Sequence, residues 1–308
     1  MMDEASMAKL REVFGEALQQ DAVMANYTTA RVGGSVPALI AINTLEELAQ
    51  AAQTLWSLDV PFSLLGSGSN ILVSDHGLDQ VTLLNRANKL EIDSESESPS
   101  VTAESGAILG TVARQTARKG LSSMEWAAPV PGRTVGGAVY GNAGAHGSDV
   151  ASSLKVAKIL HAKKGVEEWP VERLAYQYRS SILKREKMPV VILSAVFNLV
   201  PTSPEEAKAK ISEFQAHRKG TQPPGASMGS MFKNPPNDYA GRLIEAAGLK
   251  GKRIGQAMIS PVHANFIVNL EDAKAQDIYR LLVLAQKTVK DQFGVELEPE
   301  IELIGEFD

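Results

Sequence analysis

The segment Pro129–Gly147 restricts this chain more than any other stretch. It reads PVPGRTVGGAVYGNAGAHG, almost all glycine, alanine and other small side chains. A close-packed core wants larger residues, so this backbone is expected to lie against something other than protein. A large planar or phosphorylated ligand answers that description. A long irregular loop is the plainer reading, although such loops inside compact domains are usually functional. A second small-residue segment, LGSGSN (Leu65–Asn70), follows an apolar strand. Its glycines let backbone approach a ligand, and successive free N–H groups form an anion nest. No Gly-Lys-Ser/Thr follows, so it is not a P-loop. Ile71–Val73 reads as a strand where a dinucleotide-binding turn would place a helix. Alone, this segment reads best as a tight turn between strands. Two such loops in one chain favour a nucleotide cofactor.

The remaining composition excludes other chemistries. The chain has no cysteine, which removes disulfides, thiolate metal sites, a cysteine nucleophile and thiolate-held iron–sulfur clusters. Its five histidines form no HExxH or HxH cluster, so no metal site is expected. A formal net charge of -5 argues against an electrostatic nucleic-acid partner. The acidic start, MMDEASMAKL, lacks an apolar leader core. The longest apolar stretch, Val190–Val200, is interrupted by Ser194 and Asn198 and is too short to span a bilayer. The expectation is a soluble, cytoplasmic, monomeric protein without a membrane partner.

A length of 308 residues suggests two or three domains. An amphipathic segment, Met7–Leu18, precedes a turn-like stretch, Asn26–Pro37. Then a βαβ-like unit is predicted: strand Ala38–Ile42, helix Leu45–Leu58, strand Phe62–Leu65. Thr44 and Glu47 have capping-box spacing. A second region carries strands Val81–Leu84, Val101–Glu104, Ser153–His161, Val166–Pro170 and Val190–Leu199, with a helix Leu109–Lys119. A third begins after Pro201, with helices Pro204–His217, Tyr239–Ala247 and Ala273–Phe293, strand-like Phe266–Asn269 and a last strand Leu297–Ile304. The expected domains are 1–80, 81–200 and 201–308.

Taken in order, NYTTARVGG, LGSGSNILVSD, EWAAPVPGRTVGGAVYGNAGAHG, YRSSILK, SMGSMFKNP, HANFIVN and LEPEIELIG resemble the UDP-N-acetylenolpyruvoylglucosamine reductase family of peptidoglycan synthesis, in its shorter second type. The resemblance runs from about Asn26 to Gly305. It implies an α+β fold: a FAD-binding fold of the vanillyl-alcohol-oxidase type in two subdomains, plus a C-terminal α+β substrate domain. It implies non-covalent FAD, NADPH as co-substrate and UDP-N-acetylglucosamine enolpyruvate as the partner reduced to UDP-N-acetylmuramate. The cofactor would meet Gly66, Ser67, Gly68, Ser69, Asn70, Gly132, Thr134, Gly136, Gly137, Asn142 and Gly144. The match assigns proton donation to Ser230, charge stabilisation to Arg179 and a polarising role to Glu300. Tyr178, Lys233 and Asn234 would bind substrate.

Each assignment depends on its motif. A serine is a weak acid and must act through position and nearby charge, for which Lys233 is one source. An arginine fork suits a carboxylate. Glu300 sits in Glu296, Glu298, Glu300, Glu302, an alternation any half-exposed strand shows. His263 and Asn265 suit a core or strand-end role equally well. The family pattern GIPGTVGGA is altered here: Pro129 replaces its first glycine and Arg133 is additional, to reach a phosphate or bulge outward. TQPP (Thr221–Pro224) lacks the usual lysine, leaving Arg218 or Lys219 for the diphosphate. The competing reading is another FAD-dependent oxidoreductase of the same fold; a non-enzymatic nucleotide-binding protein is the third.

Overall fold

A computed structural model describes residues 4–308. The acidic start therefore falls partly outside the described residues. The helix Leu45–Ser57 is the hinge of the arrangement. Thr44 caps it, its hydroxyl accepting from the Glu47 N–H at 3.1 Å. Its buried face, Leu48, Ala51, Ala52 and Leu55, meets Ile40 and Leu83 on one side and Leu160 and Leu193 on the other. Those partners belong to two different sheets, so one amphipathic helix joins them.

The first sheet runs Leu18–Val23, Ser35–Ile42, Val81–Asn85, Phe62–Leu65 in space. Its outer pair is antiparallel and the other two pairings are parallel. The second sheet has five antiparallel strands, in the order Gly165–Pro170, Leu154–His161, Val190–Asn198, Ser100–Glu104, Leu90–Asp93. The third unit packs helices Ala240–Ala246 and Ala275–Phe293 with a small sheet ending in Ile267–Asn269. The long helix buries Ile278, Leu281, Leu282, Ala285 and Val289, the face its spacing predicts. Gly294 ends it at φ 70°.

The units divide at other positions than the order of elements suggests. Val81–Asn85 lies inside the first sheet, between Ser35–Ile42 and Phe62–Leu65. Helix Pro204–Thr221 has a capping box between Ser203 and Glu206. It packs through Ala207 and Ile211 on the second core, not the third. Strand pairing and helix docking depend on which apolar faces meet, which linear order does not record. Leu18–Val23 and Leu90–Asp93 are among the strands that the sequence pattern does not predict: both carry polar, exposed positions, and few of their side chains, Ala22 and Ile92 among them, reach a core.

The C-terminal segment is less regular than its alternation predicts. Only Glu302–Ile304 forms a strand, parallel to Ile71–Val73. Proline at 299 lacks the N–H a continuous ladder requires. This pairing carries the end of the chain back against the LGSGSN loop.

Candidate active site

A cleft of about 410 Å³ lies where the two Gly-rich segments meet the C-terminal strand. Residues 64–71 form one wall; Arg133, Thr134, Gly136, Gly137 and Tyr140 form another; Arg179, Lys184, Glu300 and Glu302 complete it. The Gly-rich block is not wholly irregular. Val135–Gly141 is a short helix whose N-cap Thr134 accepts from the Gly137 N–H. Its apolar period is hidden among glycines, which explains why the sequence reads as loop.

The glycines are required by contact. A side chain at Gly66 would place Cβ 2.5 Å from Thr134 Oγ1. Gly68 has φ +63° and would place Cβ 2.3 Å from the Tyr27 carbonyl. Ser69 Oγ donates to the Gly132 carbonyl at 3.2 Å, tying the two loops together. The N–H groups of Ser67, Gly68 and Ser69 donate to no protein acceptor among the described residues. Free donors on a bend that admits no side chain fit a diphosphate, and the glycine-lined wall fits a planar ring. Gly68→Ala is expected to cost about 1–3 kcal/mol of stability through its left-handed backbone and the collision. It should also lower the flavin retained per protein. Flavin absorbance and a denaturant titration check both, and wild-type values would contradict the packing argument.

The second group of residues is assembled by one antiparallel contact. Phe232 bridges Pro299, the Glu300 N–H donates to the Met231 carbonyl at 2.8 Å, and the Lys233 N–H donates to the Glu298 carbonyl at 2.9 Å. SMGSMFKNP and LEPE thus lie side by side, with half-buried Ser230 one residue before the partner of Glu300. Buried Asn265 holds this register. Its side chain accepts from the Phe232 N–H at 3.0 Å and donates to the Phe232 carbonyl at 2.8 Å, and its own carbonyl accepts from the Met231 N–H. Neighbouring His263 accepts from the Asn265 N–H, and burial holds its imidazole below the usual range. Asn265→Ala leaves a buried donor and acceptor at Phe232 unmatched. A loss of about 2–4 kcal/mol is expected, read from the denaturant midpoint; a change under about 1 kcal/mol would contradict this role.

Arg179 reaches Glu300 from a turn between strands Gly165–Pro170 and Val190–Asn198, Nε lying 3.0 Å from Oε1 as an ion pair. Its Nη2 donates to the Gly144 carbonyl at 2.6 Å. A Cβ on Gly144 would come 3.0 Å from Arg179 Nη1, so this glycine makes room for the guanidinium. Arg179 itself has φ 56°, a conformation unfavourable for a side-chain-bearing residue and often found at functional sites. Exposed Tyr178 lies beside it, the guanidinium 5.1 Å from the ring centre.

Other expected residues have different surroundings. Asn142 is buried, donating to Asp149 Oδ2 and the Gln177 carbonyl and accepting from the Ala151 N–H. Neither Asn142 nor Gly144 lines the cleft; both brace the loop behind it. Lys233 Nζ lies 2.5 Å from Glu298 Oε1, and Asn234 Oδ1 accepts from the Ala240 N–H at the start of a helix. Gly66 to Asn70, Thr134, Gly136 and Gly137 do line the cleft. Asn70 joins three segments: it accepts from Arg133 Nη2 at 3.2 Å, donates to the Glu300 carbonyl at 3.1 Å, and its carbonyl accepts from the Glu302 N–H.

Two cleft residues escaped the sequence reading. Lys184 Nζ lies 2.5 Å from Glu302 Oε1, and both line the cleft. The signal was present: residues two apart on an extended segment share a face, so Glu302 accompanies Glu300. Glu302 and burial both push the Tyr140 phenol up, burial the more. No group of three or more potential metal-ligating side chains occurs among the described residues.

A family model described as "UDP-N-acetylenolpyruvoylglucosamine reductase, C-terminal domain" matches residues 221–304, and one described as "FAD binding domain" matches residues 36–163. The UDP-N-acetylenolpyruvoylglucosamine reductase of Chloroflexus aggregans is 40% identical over 298 residues, covering 96% of this chain and 100% of the relative. That of Rubrobacter xylanophilus is 41% identical over 290 residues, covering 94% and 96%. The crystal structure of the Thermus caldophilus enzyme (MurB) shares 34% identity at a TM-score of 0.77, covering 92% of this chain and 98% of that one. Likeness at this level over nearly the whole chain, cleft and C-terminal domain included, means that the chain belongs to the UDP-N-acetylenolpyruvoylglucosamine reductase family.

Proposed function

We propose that the cleft reduces UDP-N-acetylglucosamine enolpyruvate to UDP-N-acetylmuramate at the expense of NADPH, with Ser230, Arg179 and Glu300 acting on the enolpyruvyl group. FAD, which the Ser67–Ser69 and Gly136–Gly137 backbone would hold, would supply the hydride chemistry linking NADPH to the enolpyruvyl methylene carbon. The chain's own residues do the rest. The nest at Ser67–Ser69 holds the cofactor diphosphate, while Gly136 and Gly137 leave room for its ring. Arg179 takes the substrate carboxylate and the negative charge that grows beside it. Glu300 directs that guanidinium through their ion pair. Ser230 delivers a proton to the carbon next to the one that receives hydride. Tyr178, Lys233 and Asn234 orient the nucleotide sugar, Asn234 through the amide nitrogen left after its oxygen caps a helix.

The observation that carries this reading is the antiparallel contact that sets Ser230 beside Glu300, with the Glu300–Arg179 ion pair at 3.0 Å. Arg179 and Glu300 line one glycine-lined cleft, and Ser230 stands on the adjoining segment, next to the residue paired with Glu300. The expected result is bleaching of the flavin band by NADPH without oxygen, then recovery on adding the enolpyruvyl sugar. Bleaching without recovery would mean another flavoprotein of this fold. The flavin should pass into the supernatant on acid denaturation, because no cysteine is available to anchor it; flavin left on the protein would refute this. No helix among the described residues is long and apolar enough to cross a membrane. We place the protein in the cytoplasm as a monomer, where both substrates are available, and sedimentation tests the monomer.

A further inference from the structure

Three cations line the cleft, Arg133, Arg179 and Lys184, against two carboxylates, Glu300 and Glu302. Arg179 is paired with Glu300 and Lys184 with Glu302. Among the described residues Arg133 makes no ion pair, and its side chain makes one hydrogen bond, to Asn70 Oδ1. The cleft therefore carries one unmatched positive charge, and that charge sits on Arg133.

The surrounding backbone keeps it pointing inward. The Arg133 carbonyl accepts from the Leu109 N–H at 2.8 Å. Gly132 before it accepts from Ser69 Oγ, and Thr134 after it caps the short helix. Asn70 holds the guanidinium where the diphosphate nest meets the Glu300 segment, since its amide also donates to the Glu300 carbonyl. Burial pulls the guanidinium below its usual range, Arg179 adds to this and Glu300 opposes it. A half-buried cation is stabilised when an anion completes it. The N–H groups not used by Asn70 form a fork suited to charged oxygens.

We propose that Arg133 is an anion-binding residue of this cleft, taking the charged oxygens of a bound ligand. Two ligands of the proposed reaction carry such oxygens: the cofactor through its diphosphate and the enolpyruvyl sugar through its carboxylate. The assignment rests on the flavin reading above.

The test uses holoprotein. FAD dissociation is followed by flavin fluorescence on dilution, and UDP-N-acetylglucosamine enolpyruvate binding by its perturbation of the oxidised flavin spectrum. Arg133→Met is expected to weaken one of the two roughly ten- to hundredfold, the loss of one charge-assisted contact. A change in FAD release identifies the diphosphate; a change confined to the sugar titration identifies the carboxylate. Arg133→Lys keeps the charge without the fork and should retain more affinity than Arg133→Met or Arg133→Gln. Arg133→Gln keeps a donor for Asn70 without charge and should fall with Arg133→Met. The Lys and Gln variants decide the matter even where the Met variant folds poorly. Wild-type affinity for both ligands in Arg133→Met, or in Arg133→Gln, would overturn the assignment while leaving the flavin reading intact. Wild-type protein that binds no FAD would overturn both.

Discussion

Replacing Ser230 by alanine is expected to leave bleaching of the flavin band by NADPH intact and to slow its recovery with the enolpyruvyl sugar by more than the roughly 10²–10⁴-fold of ordinary general-acid effects. Hydride arriving at one carbon leaves its neighbour a carbanion beside a carboxylate, and a proton must be delivered there. The half-buried serine stands on a segment fixed by Asn265 and by the Glu300 pairing, and water has no comparable placement. Ser230→Cys keeps a transferable proton at nearly the same position and should recover part of the rate. Affinity for the nucleotide sugar should change little, because one hydroxyl is small beside the diphosphate and carboxylate contacts. Rapid-mixing absorbance separates the two half-reactions. Recovery within tenfold of wild type would make Ser230 a positioning residue only.

Arg179→Ala should have the second-largest effect, about 10²–10³-fold on the same half-reaction. A clamp on developing charge acts only where charge develops, so reduction by NADPH should slow much less. Equal slowing of both halves would contradict the role. The variant has a further consequence in this fold. It leaves Glu300 without its ion-pair partner and the Gly144 carbonyl without its donor. Glu300→Gln isolates the first consequence. It keeps a polar contact to Arg179 but removes the charge, and should slow sugar-dependent recovery while leaving flavin content unchanged. Loss of flavin in Glu300→Gln would show that the pair supports the cleft rather than the chemistry.

What the sequence reveals depends on how local each device is. The cap at Thr44 and the apolar face of Ala275–Phe293 are set within a turn or two of chain, and both are legible. So is the nest at Ser67–Ser69, because glycine spacing dictates backbone behaviour locally. The strand Val81–Asn85 shows the opposite case. Its residues are plainly strand-forming, but its place between two earlier strands is a long-range choice. Helix Val135–Gly141 was hidden because small residues carry no hydrophobic period. At the site, the motifs point to Ser230, Arg179 and Glu300, but not to the pairing of the Glu300 and Met231 segments or to the Arg179–Glu300 ion pair. Asn265 looked like any buried strand-end asparagine, and only the contact between Phe232 and Pro299 explains its three hydrogen bonds. Asn142 and Gly144, which the resemblance assigns to the cofactor, do not line the cleft; Asn142 is left-handed, φ 46°, and the Gly144 carbonyl accepts from Arg179 Nη2.

The central claim is that one cleft couples NADPH oxidation to saturation of an enolpyruvyl ether on a nucleotide sugar. Its most direct test is the stoichiometry of product to NADPH. Purified protein is incubated with NADPH and UDP-N-acetylglucosamine enolpyruvate without oxygen, and the nucleotide sugars are identified by mass. The account predicts one UDP-N-acetylmuramate formed for each NADPH consumed, and no consumption beyond the enzyme-bound flavin when the sugar is left out. NADPH consumed at the same rate without the sugar, or with no gain of two hydrogens by it, would contradict the account.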